Sequence, residues 1–330
     1  MEKVSIILPT YNVGEFLKQC LKSITRQTYK NIEVIIIIDG ATDDSYDIAK
    51  DFAAKDKRFF VFLQENAGSG SARNNGIEHA TGDFIIFVDP DDWIDEDYVE
   101  KLLSFQHKGN YDIVACGENT VLFSKDGKIK HQYSQKIDSF HIIGKEQLYE
   151  NHSKLFCLGV INPPHCKLYK ACIIRNSGVR FPNLRRSQDI VFNYQLYNHI
   201  NSIYVADYTG YNYRIVNKQR TLRLKNDYYK TIGLIYNDLK ALYCEWGIPF
   251  KSTDYASSLY GSVYALLESF LFRHENIKVV LEDSTIKEII KNAHPYKMHL
   301  RLVRYLTLSH HYLSTAYLIK IISFFKNIIH

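Results

Sequence analysis

VSIILPTYNVGEFLKQCLKSITRQTYKNIEVIIIID, residues 4–39, changes period twice. Residues 4–8 are a short apolar run, read as a buried strand, and 32–38 are a second, rich in β-branched side chains. Between them Phe16, Leu17, Cys20, Leu21 and Ile24 recur at helical spacing. The alternation continues: Thr42 or Asp43 can cap a helix whose apolar face is Tyr46, Ile48, Ala49 and Phe52. Residues 59–63, 84–88 and 111–116 read as further strands, with helices at 71–80 and 98–105. Strand alternating with helix implies a parallel sheet with helices on both faces. Near-continuous apolar strands suit a sheet buried on both sides. The expected fold class is α/β, a mixed, mostly parallel sheet flanked by helices, followed by a helical C-terminal region.

Beyond Gly117 the pattern changes. Residues 121–123 and 128–131 flank Lys125-Asp126-Gly127, a hairpin-turn sequence. Pro163-Pro164 and Phe181-Pro182 punctuate an irregular stretch, and helical periodicity dominates from residue 226 onward. The expected organisation is a domain over residues 1–218, in halves 1–116 and 117–218, and a helical region over 219–330.

A chain of 330 residues, 46% hydrophobic and 23% charged, can bury a sizeable core. Its net charge of +5 is modest, and the basic residues are interspersed with acids over most of the length, so nucleic acid is not an expected partner. Cys20, Cys116, Cys157, Cys166, Cys172 and Cys244 form no CxxC pair, and several fall in apolar runs. They read as buried thiols of a reducing compartment, not as a disulfide framework or a zinc site. The N-terminus enters a strand at once, without a signal-peptide layout. No stretch approaches the roughly 20 apolar residues of a spanning helix. The expected location is cytoplasmic, either free or peripheral on the cytoplasmic face of a membrane.

In an open parallel sheet, ligands bind beyond the carboxyl ends of the strands. Four such ends carry polar groups: Pro9-Thr10-Tyr11-Asn12, Asp39-Gly40, residues 66–74 (NAGSGSARN) and residues 89–93 (DPDDW). Asp89, Asp91 and Asp92 place three carboxylates within four residues, which suits a hard divalent ion, Mn2+ or Mg2+. Taken alone the triplet also reads as a solvated acidic turn or a helix N-cap. Asp39 can accept from an imide N–H such as that of uracil, or serve only as an Asp-Gly turn. Gly68-Ser69-Gly70 lets backbone amides approach an anion at a helix start, or is simply a turn. Arg73 can add a charge-assisted bond to a phosphate.

On these segments the chain resembles the family-2 (GT2) glycosyltransferases of GT-A (Rossmann-like) fold, of bacterial surface-polysaccharide type. The matching stretches are VSIILPTYN, QTYKNIEVIIIIDGATDDS, ENAGSGSARNNGIEHATGDFIIFVD and DPDDW, with weaker continuation in HCKLYK (165–170), RSQDIVFN (186–193) and YNYR (211–214). Together they cover residues 3–216. The resemblance implies a nucleotide-binding half over 1–116 and an acceptor half over 117–218. Pro9, Tyr11 and Asp39 would line a uracil site, and Arg73 would face the nucleotide. Asp91 would contact the ribose or the metal, Asp92 would hold the metal on the diphosphate, and Asp89 would complete the triplet. Asp189 would be the catalytic base. Two positions depart from the family pattern, which has acids where this chain has Ile38 and Gln188. The first departure spares Asp39; the second removes a charge beside Asp189.

The implied activity is inverting transfer of a hexose or N-acetylhexosamine from a UDP-sugar to a glycan or lipid-linked acceptor hydroxyl, with Asp189 taking the proton and the metal neutralising the leaving diphosphate. Asp189 also reads as a helix N-cap, and His165 as either a site residue or a structural histidine. Residues 289–330 hold six Lys or Arg and no Asp or Glu among many Leu, Ile, Tyr and Phe. They suit an amphipathic surface on an anionic inner membrane, a helical domain or a homodimer contact. Tyr-rich helices would line an acceptor groove in any of these cases. Two rival readings are a nucleotidyltransferase, whose Gly-rich activation loop near the N-terminus is missing here, and a catalytically weak pseudo-enzyme, a partner- or membrane-binding subunit.

Overall fold

The computed structural model describes residues 2–124, 127–184, 186–216 and 227–329. The expected turn at Lys125-Asp126 and the expected boundary at 218/219 lie outside these residues. The chain divides into two compact units, Met1–Asn151 with Gly159–Asn217, and His152–Leu158 with Lys218–His330.

The first unit is built on one sheet. Its elements are β1 (Val4–Thr10), α1 (Gly14–Thr25), β2 (Ile32–Asp39), α2 (Ser45–Lys55), β3 (Phe59–Gln64), α3 (Ser69–His79), β4 (Phe84–Phe87), β5 (Trp93–Ile94), α4 (Tyr98–His107), β6 (Ile113–Phe123), β7 (Ile129–Ser134), β8 (Phe140–Ile143), α5 (Lys145–Cys157), β9 (Lys167–Lys170), α6 (Ala171–Ser177), α7 (Gln188–Tyr197) and β10 (Ser202–Ile215). The strand order is β3-β2-β1-β4-β9-β6-β10-β5, with β7 beside β6 and β8 beside β10. β1 runs parallel to β2 and β4, and β2 to β3. β9 is antiparallel to both β4 and β6.

Every residue of β1 and β2 is buried, as a strand covered on both faces requires. The edge strand β3 is only partly covered, and Phe60 and Leu63 reach solvent. Leu17, Cys20, Leu21 and Ile24 of α1 join Val4, Ile6, Leu8, Val34 and Ile36 in one core. Tyr46, expected on the buried face of α2, is exposed. Asp43 supports two helix starts at once: its carboxylate accepts from the backbone N–H of Gly14 (2.9 Å) and of Ser45 (3.1 Å). Ile38 points into the same core, so an acid there would face apolar neighbours.

The second unit holds α8 (Tyr228–Glu245), α9 (Ser252–Phe272), α10 (Lys278–Leu281), α11 (Ser284–Asn292), α12 (Met298–Leu308) and α13 (Tyr312–Ile329), with the end of α5. Its tyrosines correct an expectation. Tyr236, Tyr243, Tyr255, Tyr260 and Tyr264 are buried and build the helix core instead of lining a groove. Tyr255, for example, stacks on Phe250 with ring centroids 5.2 Å apart. The cysteines correct another: Cys20, Cys116 and Cys166 are buried, but Cys157, Cys172 and Cys244 are exposed, and all six are free thiols. Among the described residues, no helix is long and apolar enough to cross a membrane.

Candidate active site

The parallel strands β1, β2 and β4 deliver Pro9-Tyr11, Asp39 and Asp89 to the same end of the sheet. Two cavities open there. One, about 630 Å3, is lined by Pro9, Tyr11, Asp39, Gly68, Ser69 and Gln188, among others. The other, about 410 Å3, is lined by Arg73, Asp89, Glu118, His165, Asp189 and Tyr213, among others. Two pairs of chain neighbours separate them. Ala72 and Gln188 line the first cavity, and the next residues, Arg73 and Asp189, line the second.

Asp39 is buried and already engaged. Its Oδ1 accepts from Gln64 Nε2 (2.7 Å) and the Ala67 amide (2.8 Å), and its Oδ2 from the Gly68 amide (2.9 Å). The Ala67 and Gly68 amides at the start of the glycine-rich loop therefore bind this carboxylate. A carboxylate has about four acceptor positions, which leaves Oδ2 able to accept once more. Asn75 orients the array by donating to Gln64 Oε1 (2.8 Å).

Gln188 reaches across from the start of α7 and donates to Ser69 Oγ. Gly70 permits this approach: a Cβ there would lie 2.1 Å from Gln188 Oε1. The residue in the acid's usual place thus latches α7 to α3. Asp189 follows in the first turn of α7, where Ser187 and not Asp189 holds the N-cap position, and faces the second cavity. Burial lifts its carboxyl above the usual carboxylate range, against the pull of the Arg73 charge.

Asp89 pairs with Arg73 at 2.6 Å, and its other oxygen lies 3.6 Å from His165 Nδ1, an ion-pair contact too long for a hydrogen bond. Burial alone would raise the Asp89 carboxyl, but Arg73 and His165 hold it well below the usual range. His165 also meets Glu118 at 3.0 Å and lies flat on Tyr211, with centroids 4.6 Å apart. Burial opposes its charge, yet Asp89 and Glu118 bring the imidazole up to about 9. The next residue, Cys166, holds φ 58, an uncommon conformation for a side chain of this kind.

Asp92 departs from expectation. It is fully buried, with Oδ2 accepting from the Tyr211 hydroxyl (2.7 Å) and Oδ1 from the Arg214 amide (2.7 Å). Both oxygens tie β10 to the acidic turn. Burial, with Asp91 and Asp89 close by, pushes its carboxyl well above the usual range. Tyr211 also accepts from the Asp89 amide (3.2 Å), and Arg214 Nε donates to the Asp91 carbonyl (2.7 Å). Removing the hydroxyl in Tyr211→Phe leaves these groups short of partners. We expect a loss of about 1–3 kcal/mol in chemical denaturation.

The comparisons with known proteins bear on the whole arrangement. The model of the family described as "Glycosyl transferase family 2" matches residues 5–175. The chain belongs to glycosyl transferase family 2. Glycosyltransferase GlyA of Streptococcus pneumoniae serotype 4 is 36% identical over 222 residues, 65% of this chain and 31% of GlyA. Putative glycosyltransferase EpsH of Bacillus subtilis strain 168 is 34% identical over 220 residues, 64% of this chain and 60% of EpsH. The chain thus spans less than two thirds of these relatives. The crystal structure of S. aureus TarS 1-349 in complex with UDP-GlcNAc superposes with a TM-score of 0.67 at 18% identity, covering 96% of this chain and 90% of that one. That likeness is one of fold, the mostly parallel GT-A sheet with helices after it.

Several residues of this family-2 site escaped the sequence reading. Lys167 is buried and donates from Nζ to the Pro163 carbonyl; Asn193 donates to the same carbonyl (3.2 Å) and to that of Asp189 (3.0 Å). The loop at Pro163 thus hangs on both HCKLYK and RSQDIVFN. Glu118 carried no signal in its strand. Among the described residues, Glu118, His165 and Cys166 bring acid, imidazole and thiol atoms within 4.8 Å of one another. Burial and neighbouring Cys116 push the Cys166 thiol well above its usual range.

A raised histidine stabilises the fold through its protonated form. For His165, that contribution is complete below the ordinary histidine value near 6.5 and is lost as pH rises through about 9. Lys167, lowered to about 8 by burial, acts in the opposite sense above that pH. The clean readout is therefore a difference. In chelator, the stability advantage of wild type over His165→Gln should shrink steadily between pH 6.5 and 9, measured by thermal melts.

Proposed function

We propose that the chain is an inverting glycosyltransferase that moves a hexose or N-acetylhexosamine from a UDP-sugar to an acceptor hydroxyl. The observation that carries this reading is the pair of adjoining cavities parted by Ala72-Arg73 and Gln188-Asp189. The nucleoside occupies the cavity of Pro9, Tyr11 and Asp39, with the Oδ2 of Asp39 accepting the imide N–H. The sugar and the attacking hydroxyl meet in the cavity of Asp189. The diphosphate lies between them, beside Arg73.

The donor set at the end of β4 fits a hard divalent cation such as Mn2+ or Mg2+: burial, and after it repulsion from Asp91 and Asp89, raises Asp92, and added positive charge relieves the repulsion. Asp89 and Asp91 would hold the ion, and Asp92 would fix the turn that presents them. When bound, the ion offsets charge on the departing diphosphate. The chain's own residues do the rest. Arg73, held by Asp89 and lying 5.4 Å from the Phe181 ring centre, presents a fixed cation. Asp189, made more basic by burial, takes the proton as the acceptor oxygen attacks the anomeric carbon. A single displacement inverts that carbon. The resemblance of sequence supports a surface glycan as the acceptor.

Calorimetric titration with UDP, GDP and CDP in Mn2+ tests the nucleotide assignment. UDP should bind at least tenfold tighter than the others, and Asp39→Ala should remove that preference. Equal affinity for all three would overturn the uracil site.

A further inference from the structure

The geometry points to an interaction surface on α12 and α13 that docks on an anionic lipid bilayer. The two helices pack on each other, and each carries a second apolar stripe that no element among the described residues covers. On α12 it is Met298, Leu302 and Tyr305; on α13 it is Leu313, Tyr317 and Ile321. The spacings of four and three, and of four and four, place each set on one helix face. Leu313 is 90% exposed and Met298 84%, and Tyr296, just before α12, is 96% exposed. The inner faces are separately satisfied by Val303, Thr307, Thr315 and Ile319, all buried. The outward stripes are therefore additional to what the helix core requires.

Charge selects the occupant. Residues 289–330 contain six Lys or Arg and no acid. Arg304 is spent on structure, donating to the Ile290 (2.7 Å) and Lys291 carbonyls at the end of α11. Lys297, Arg301 and Lys320 are exposed beside the apolar stripes; Arg301 also donates from Nε to the Pro295 carbonyl (2.9 Å) and keeps the rest of its guanidinium in solvent. Glu268 on α9 shares a cavity with Lys320 and Ile319, leaving Lys297 and Arg301 to give the α12 surface its sign. Apolar side chains with tyrosines and flanking cations match the interface of a bilayer bearing acidic headgroups. A two-fold contact between copies would press the same basic patch against itself, which disfavours a second copy as occupant.

Flotation of the whole chain with phosphatidylcholine vesicles, with and without phosphatidylglycerol, tests this. Binding should require phosphatidylglycerol and weaken as salt rises. Leu313→Ser with Tyr317→Ser should reduce it by about tenfold or more. Lys297→Glu with Arg301→Glu should reduce it by a similar factor. All four side chains are exposed, and Arg301→Glu gives up one hydrogen bond to the Pro295 carbonyl (2.9 Å), so melting temperatures should fall little and a larger loss of binding reports the surface and not unfolding. Equal binding to both vesicle types, binding indifferent to both double variants, or a wild-type dimer in sedimentation that Leu313→Ser dissociates would overturn the proposal.

Discussion

Asp189→Asn should lower turnover by about 10²- to 10⁴-fold, the usual worth of a positioned general base, while UDP affinity stays within about twofold. The affinity is spared because Asp189 faces the cavity of Arg73 and His165, whereas Pro9, Tyr11 and Asp39 line the other. An amide keeps the shape but cannot take a proton. Asp189 also sits in the first turn of α7, where a carboxylate favours the helix end by only about 0.3–1 kcal/mol. If that charge at the helix start were its whole role, the variant would melt slightly earlier and turn over normally. Burial raises the carboxyl, so the base form is lost at a higher pH than for an ordinary aspartate. The acid limb of kcat should lie correspondingly high, and Arg73→Met, which removes the opposing pull, should move it higher still.

The second large effect separates Asp89 from Asp92. Asp89→Asn removes the charge that faces both Arg73 and His165, and with it a carboxylate offered to the cation. Turnover should fall by about 10²- to 10³-fold, and Mn2+ should enhance UDP binding far less than in wild type. Unfolding should be easier by about 3 kcal/mol, since a mostly buried pair loses one partner. Asp92→Asn should behave differently. Its two oxygens serve the Tyr211 hydroxyl and the Arg214 amide, and an amide can accept from only one of them. The expected loss is mainly in stability, with the Mn2+ dependence of UDP binding retained. Titrations of UDP with and without Mn2+, beside denaturation curves, distinguish the two residues. Loss of the Mn2+ effect in Asp92→Asn at unchanged stability would make Asp92 the ligand.

What the sequence could reveal depended on the range of the interaction. β1, β2 and β4 were legible because a doubly covered strand must be apolar throughout, and α1 because its core face repeats on a helical period. β9 was not: four residues, KLYK, carry no period, and only their insertion between β4 and β6 makes them a strand. The two-residue β5 depends likewise on Tyr211 and Asn212 across from it. At the site, residue types were readable but partners were not. Asp39 and Asp92 both stand where ligand contacts were expected. Their neighbours in space, Gly68 and Arg214, decide how much of each carboxylate remains for anything else. The buried tyrosines of α8 and α9 make the same point. Composition showed that aromatics were abundant, and only packing showed that they face one another.

The most direct test of the account is release of UDP from a panel of UDP-sugars by the purified chain, with Mn2+ or with chelator, in wild type and Asp189→Asn. The account predicts release from one donor, slow with water and faster with a glycan or lipid-linked acceptor, abolished by chelator and by Asp189→Asn. Full release in chelator, or undiminished release by Asp189→Asn, would contradict it.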